Sequence, residues 1–179
     1  MKTLLAVIIL TMAAVCAHAQ TLSNFSARID IVPGGNYIIG FAVPGPGPVN
    51  LFLRAVGTPL ESFGVTTGIS RPSFEMYNSA GQNFMFGWYD AGPDFVAICN
   101  LVGAFQPTPY NTGYAWTVGA FNPGAYTVSI SNDAGVAGTV LFEVYVIQGN
   151  IPQVSLPLPY PVPPQGPIVN PSTLESSSG

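Results

Sequence analysis

The stretch Pro123-Gly-Ala-Tyr-Thr-Val-Ser-Ile-Ser-Asn-Asp-Ala-Gly-Val-Ala-Gly-Thr-Val-Leu-Phe-Glu-Val-Tyr-Val-Ile147 decides the fold class. In its first half Tyr126, Val128 and Ile130 alternate with Thr127 and Ser129. That period of two sends apolar side chains to one face of a sheet and hydroxyls to the other. In its second half Val140, Phe142, Val144 and Val146 alternate with Leu141, Glu143, Tyr145 and Ile147. Both faces are largely apolar there, the pattern of a central strand covered on both sides. Asn132-Asp-Ala-Gly135 between the halves supplies residues that tolerate turn geometry and bond their own backbone. The spacing predicts a β-hairpin that closes an all-β domain.

Similar segments precede it. Residues 21–31 alternate and end at the turn Pro33-Gly34-Gly35; residues 36–43 are β-rich, with Gly40 predicted to mark a bulge or a close backbone approach. Pro44-Gly-Pro-Gly-Pro48 breaks the chain before a third strand over residues 49–56. Thr58-Pro-Leu-Glu-Ser-Phe-Gly64 reads as one helical turn, with Thr58 as cap, Pro59 first and Gly64 as stop. Residues 73–78 and 83–89 form a strand pair across a turn at 79–82. Ile98, Leu101, Val102 and Phe105 fall at helical spacing, and residues 114–120 are again a strand. Short strands punctuated by turns predict a β-sandwich or jelly roll of about eight or nine strands in two packed sheets.

The ends differ in composition. Lys2, an apolar run over residues 4–15 and Ala17-His-Ala19 make a secretory signal peptide, with cleavage expected after Ala19. Cys16 also raises a lipidation site, but Ala13-Ala-Val15 before it matches that motif poorly. The predicted organisation is therefore signal peptide 1–19, sandwich domain 20–148 and a Pro/Ser-rich tail 149–179. The tail is read as an extended spacer, with docking on an aromatic groove of a partner as the alternative. These features predict a secreted or cell-surface location and no membrane span.

Composition excludes several functions. Charged residues make up 7% of the chain, and Arg28, Arg54 and Arg71 are the only cations after the leader. Nucleic acid is not an expected partner without a basic patch. The single histidine, His18, leaves with the leader, taking with it the commonest general base. Cys99, set among apolar neighbours, reads as a small buried hydrophobe. No Gly-x-Ser-x-Gly element and no His/Cys metal spacing occurs, so no catalytic residue, cofactor or enzyme activity is expected.

Three constellations remain. Glu143, inside an apolar strand, calls for a cation, and Arg54 and Arg28 are the candidates for a structural ion pair. Asp90, Asp94 and Asp133 are weak calcium candidates in loops, where turn chemistry is the better account of them. Trp88, Tyr89, Tyr114 and Trp116 could present flat rings to a sugar, or could belong to a core.

Seven phrases in the same order resemble a β-rich module of secreted and cell-surface proteins of environmental bacteria. They are Leu22-Ser-Asn-Phe-Ser-Ala-Arg28, Ile39-Gly-Phe-Ala-Val43, Leu53-Arg-Ala-Val-Gly57, Leu60-Glu-Ser-Phe-Gly-Val65, Val102-Gly-Ala-Phe105, Pro123-Gly-Ala-Tyr-Thr127 and Phe142-Glu-Val-Tyr145. The resemblance implies an exterior location and β architecture, but no activity. Where that module carries an acidic Asn-Asp-Asn-Trp-type segment, this chain has Phe84-Met-Phe-Gly-Trp-Tyr-Asp90, and only Trp88 and Asp90 echo it. Any calcium site formed by those acids is expected to be lost here. Two functions follow as expectations: an exported, non-catalytic structural or adhesive module that self-associates or meets another surface protein, or a carbohydrate-binding module whose exposed aromatics meet a glycan.

Overall fold

A computed structural model describes residues 24–87, 93–106 and 113–148. Eight strands form two antiparallel four-stranded sheets: β1 (Asn24–Ile31), β2 (Asn36–Val43), β3 (Val49–Val56), β4 (Pro72–Asn78), β5 (Asn83–Phe86), β6 (Tyr114–Phe121), β7 (Gly124–Asn132) and β8 (Gly138–Ile147). The first sheet has the order β1-β8-β3-β6 and the second β2-β7-β4-β5. Four of the pairings are nested one inside another: β1 with β8, β2 with β7, β3 with β6 and β4 with β5. Nested antiparallel pairs rolled into two facing sheets are the jelly-roll arrangement. The all-β sandwich read from the chain is the fold observed.

The predicted hairpin is corrected. β7 and β8 are both strands, but they lie in opposite sheets, and the loop between them crosses the sandwich. That loop keeps its predicted turn chemistry. Asn132 Oδ1 accepts from the Ala134 amide at 3.1 Å, and Gly135 takes a left-handed φ of 68°.

Alternation fills the space between the sheets. Ile29, Ile31, Leu51, Leu53, Ala55, Val140, Phe142 and Val144 from the first sheet meet Phe74, Met76, Val128 and Ile130 from the second. The Phe74 and Phe142 rings meet edge to face at 5.7 Å. Burial of these side chains is the main stabilising term of the sandwich.

A second apolar layer lies outside the first sheet. The helix α1 (Pro93–Val102) packs Phe95, Ile98 and Cys99 onto Phe52, Tyr114, Trp116, Val118 and Tyr145. This explains why β8 is apolar on both faces: one side faces the sandwich interior and the other faces α1. The helix starts five residues before its predicted start at 98 and ends at Gly103, whose φ of 68° favours glycine.

Two local expectations change. Gly40 marks neither a bulge nor a close approach: pairing with β7 runs unbroken through it, and a Cβ there would come no nearer than 3.9 Å to the Tyr126 carbonyl oxygen. The helical turn forms as a 3₁₀ segment, Thr58–Phe63, but its cap is Gly57 and no side chain caps it. The close approach lies here instead. A Cβ on Gly57 would sit 1.9 Å from the Ile69 carbonyl oxygen, so only glycine fits. The same loop docks on β8 through Ile69 N to Thr139 O at 2.9 Å and Thr139 N to Thr67 O at 2.7 Å.

Candidate functional site

The densest polar constellation among the described residues lies under α1, on the outer face of the first sheet. Register builds it: Arg54 of β3 stands directly opposite Glu143 of β8. Even-numbered positions of β3 and odd-numbered positions of β8 share that outer face, so both side chains project beneath the helix. Arg54 Nε donates to Glu143 Oε2 at 2.6 Å, and Tyr145 Oη donates to Glu143 Oε1 at 2.7 Å. Arg54 Nη1 donates to the Phe105 carbonyl oxygen at 2.5 Å and contacts Cys99 Sγ at 3.6 Å. The guanidinium carbon also lies 4.3 Å from the centre of the Phe105 ring and 5.7 Å from that of Tyr145. Cation–π attraction there supplements the ion pair. Nη2 of Arg54 has no hydrogen-bond partner among the described residues.

Arg54 is completely buried and Glu143 is 6% exposed. The neighbouring acids are held in their neutral forms. Burial pushes the Cys99 thiol up to about 11, with the Arg54 charge pulling weakly the other way. Burial, followed by the Glu143 carboxylate, pushes the Tyr145 phenol up to about 12. At neutral pH the site therefore holds no thiolate or phenolate nucleophile. Its chemistry is that of a brace joining β3, β8 and the chain just beyond α1.

Arg28 is not part of it. On β1, the other neighbour of β8, Arg28 lies opposite Leu141 and is exposed, while Ser26 stands opposite Glu143. Of the two candidate cations, the register brings Arg54 to Glu143. Phe105 and Tyr145 also belong to the site, beyond the partners that the sequence predicts for Glu143. Tyr145 was accessible to such reasoning, being two residues from Glu143 on the same strand face; a loop carbonyl such as that of Phe105 carries no sequence signal.

The aromatic candidates are corrected in part. Tyr114 and Trp116 are 1% and 4% exposed, so neither presents a ring to a ligand. The Tyr114 ring stacks on Phe95 at 5.0 Å, and Trp116 lies 5.5 Å from Phe95 and 6.2 Å from Phe52. They are buried because alternation along β6 places them on the face that α1 covers. Trp88, Tyr89 and Asp90 lie outside the described residues. Asp94 sits in the first turn of α1. Asp133 is exposed in the β7–β8 loop and accepts from Ser73 Oγ at 2.5 Å. Among the described residues no three His, Cys, Asp or Glu side chains converge as a metal site.

The second sheet has a different exterior. Its outer face is open and carries Asn36, Ser73, Glu75, Tyr77, Thr127, Ser129 and Ser131. Ser73 Oγ and Ser131 Oγ lie 2.7 Å apart, and Asn36 Nδ2 donates to Ser129 Oγ at 2.9 Å. Tyr77 Oη donates to Glu75, a bond that also raises the phenol above its ordinary pKa. Phe86, half-buried, stands opposite Glu75 on the same face. A shallow recess of about 260 Å³ lies elsewhere, between the end of α1 and the β1–β8 edge, lined by Asn24, Leu101, Val102 and the segment from Tyr145 to Gln148. No helix among the described residues is long and apolar enough to cross a membrane.

No protein-family model and no curated protein matches the chain. Solved structures similar to it include the pre-peptidase C-terminal domain of collagenase from Bacillus anthracis, at 11% identity and a TM-score of 0.44. That match covers 68% of this chain and 88% of the other. The chain is also similar to part of a Paenibacillus sp. cycloisomaltooligosaccharide glucanotransferase complexed with cycloisomaltoheptaose, at 18% identity and a TM-score of 0.32. There the match covers 65% of this chain but 13% of the enzyme.

Proposed function

We propose that the chain is an exported, non-catalytic structural or adhesive module of the bacterial exterior, acting through its surface and associating with other copies or other surface proteins. The observation that supports this reading is where its polar chemistry is spent. The Arg54–Glu143–Tyr145 constellation is sealed beneath α1 and committed to internal bonds, while the outer face of the second sheet is open and nearly free of charge. The deciding experiment combines light scattering over a concentration series with a glycan array, both on the mature protein. Concentration-dependent assembly without glycan binding is the expected result. Hydrolysis or transfer of any arrayed glycan would overturn the reading.

Carbohydrate binding is the second reading, supported by that same open face. Tyr77 and Phe86 lie there beside rows of hydroxyls and amides, the mixture of ring and hydrogen-bonding groups that sugars meet in binding sites. Under this reading the array gives saturable binding, and Tyr77→Ala abolishes it while the fold is retained.

A further inference from the structure

Two sheets with open ends leave four edge strands, and three of them are blocked or interrupted. β1 carries Arg28 and Asp30, both exposed. β5 has four residues and meets a register shift against β4. β6 is buried over its first five residues, Tyr114 to Val118. Charge, shortness, irregularity and cover are the usual protections of a sheet edge, because an open edge presents unpaired backbone donors and acceptors.

Among the described residues β2 has none of these protections. It is eight residues long, contains neither proline nor charge, and pairs with β7 in an unbroken register from Asn36 to Val43. Five of its residues are exposed, including Tyr37 at 49% and Ile38 at 63%. Prolines stand on both sides of it, at positions 33, 44, 46 and 48, and limit pairing to the strand itself.

We propose that β2 is a homodimer edge: a second copy of this chain adds its own β2 antiparallel to the first, across a two-fold axis, making one continuous eight-stranded sheet. The proposal rests on the reading of the chain as a surface-acting module and names the surface. A second copy fits because a two-fold axis sets each side chain near its own duplicate, and like charges opposite one another destabilise a strand pair. A strand with no charge meets no such penalty. The proline-rich segment 151–164 is a poorer occupant, since its six prolines offer no backbone donor.

Geometry narrows the register. Opposed residues in an antiparallel pair share a face, so Asn36, Ile38, Gly40 and Ala42 must oppose one another for the two outer faces to be continuous. The axis must then pass through a residue rather than between two. Centred on Ile39, it sets Tyr37 against Phe41 of the second copy and Ile38 against Gly40 of the second copy. The two copies of Ile38 become diagonal neighbours, within reach of long side chains.

Sedimentation velocity on the mature chain tests this, with the wild type, Ile38→Lys, Ile38→Asp, an equimolar mixture of those two, and Arg28→Glu. The expected result is a wild-type dimer whose dissociation constant rises about tenfold or more in each Ile38 variant. Circular dichroism should be unchanged, the mixture should recover association, and Arg28→Glu should dimerise as the wild type does. A wild type that stays monomeric, or a folded Ile38→Lys that still dimerises, overturns the proposal. Loss of association in Arg28→Glu alone would assign it to the β1 edge and equally overturn it. The surface-acting reading is judged separately, by binding of the monomeric Ile38→Lys variant to whole bacterial cells.

Discussion

The two sheets have the same strand count and the same alternation, yet their outer faces have opposite characters. The first, over β3, β6 and β8, is buried beneath α1 and packed with Phe52, Tyr114 and Trp116 around the Arg54–Glu143 ion pair. The second is open, with serines and asparagine bonded to one another across strands. A period of two therefore specifies that a residue faces outward, but what covers that face decides what outward means. On the roofed side a charge must find its partner within the protein; on the open side a hydroxyl can use water.

Four experiments press on that contrast. The largest effect should come from breaking the buried pair. Glu143→Gln strands the Arg54 charge and is expected to cost about 3–5 kcal/mol in denaturant unfolding. The double change Arg54→Met with Glu143→Leu should cost much less, because it removes the desolvated charges together. A Glu143→Gln protein with unchanged melting would mean that the roof does not seal the site. Trp116→Ala removes the side chain that anchors α1 and should cost about 3 kcal/mol, the lower end for such truncations, by calorimetry. An unchanged transition would show that its ring is not part of the packed layer.

The third experiment is alkaline titration. The thiol of Cys99 and the phenol of Tyr145 ionise later in the folded protein than in the unfolded chain. Between the two values the unfolded chain has already lost a proton that the folded one keeps, so stability falls as pH rises. The thiol acts from about 9 to about 11, on the order of 2 kcal/mol, and the phenol from about 10 to about 12. Cys99→Ala should remove the first part of this decline and leave the second; a decline unaltered by that change would point to another group. The smallest effect belongs to the open sheet. Ser129→Ala should stay within about 0.5 kcal/mol of wild type in the same unfolding assay.

The contrast also separates what the chain made legible from what it did not. Strand positions and faces were readable from alternation, down to the hydroxyl row of Thr127 and Ser129 and the double-sided burial of β8. Strand partners were not. Five residues between Asn132 and Gly138 can close a hairpin or cross the roughly 10 Å between sheets, and turn chemistry is the same for both. The choice between Arg28 and Arg54 had the same cause: both strands flank β8, and register alone sets Arg54 opposite Glu143. For Tyr114 and Trp116 the chain leaves ligand and core both open, because nothing within β6 announces that a helix 12 or more residues earlier covers it.

Nested pairing has a temporal consequence for a chain delivered from its N-terminus. The innermost pair closes over a few residues, as in the bond from Asn78 to Gln82, four positions apart. The outermost requires β1 to wait for β8: Asp30 and Thr139 bond across 109 positions. Loop closure over such distances is slow, and the first sheet cannot be completed until nearly the whole domain has emerged. The topology thus leaves β1 without its pairing partner until the last strand is present.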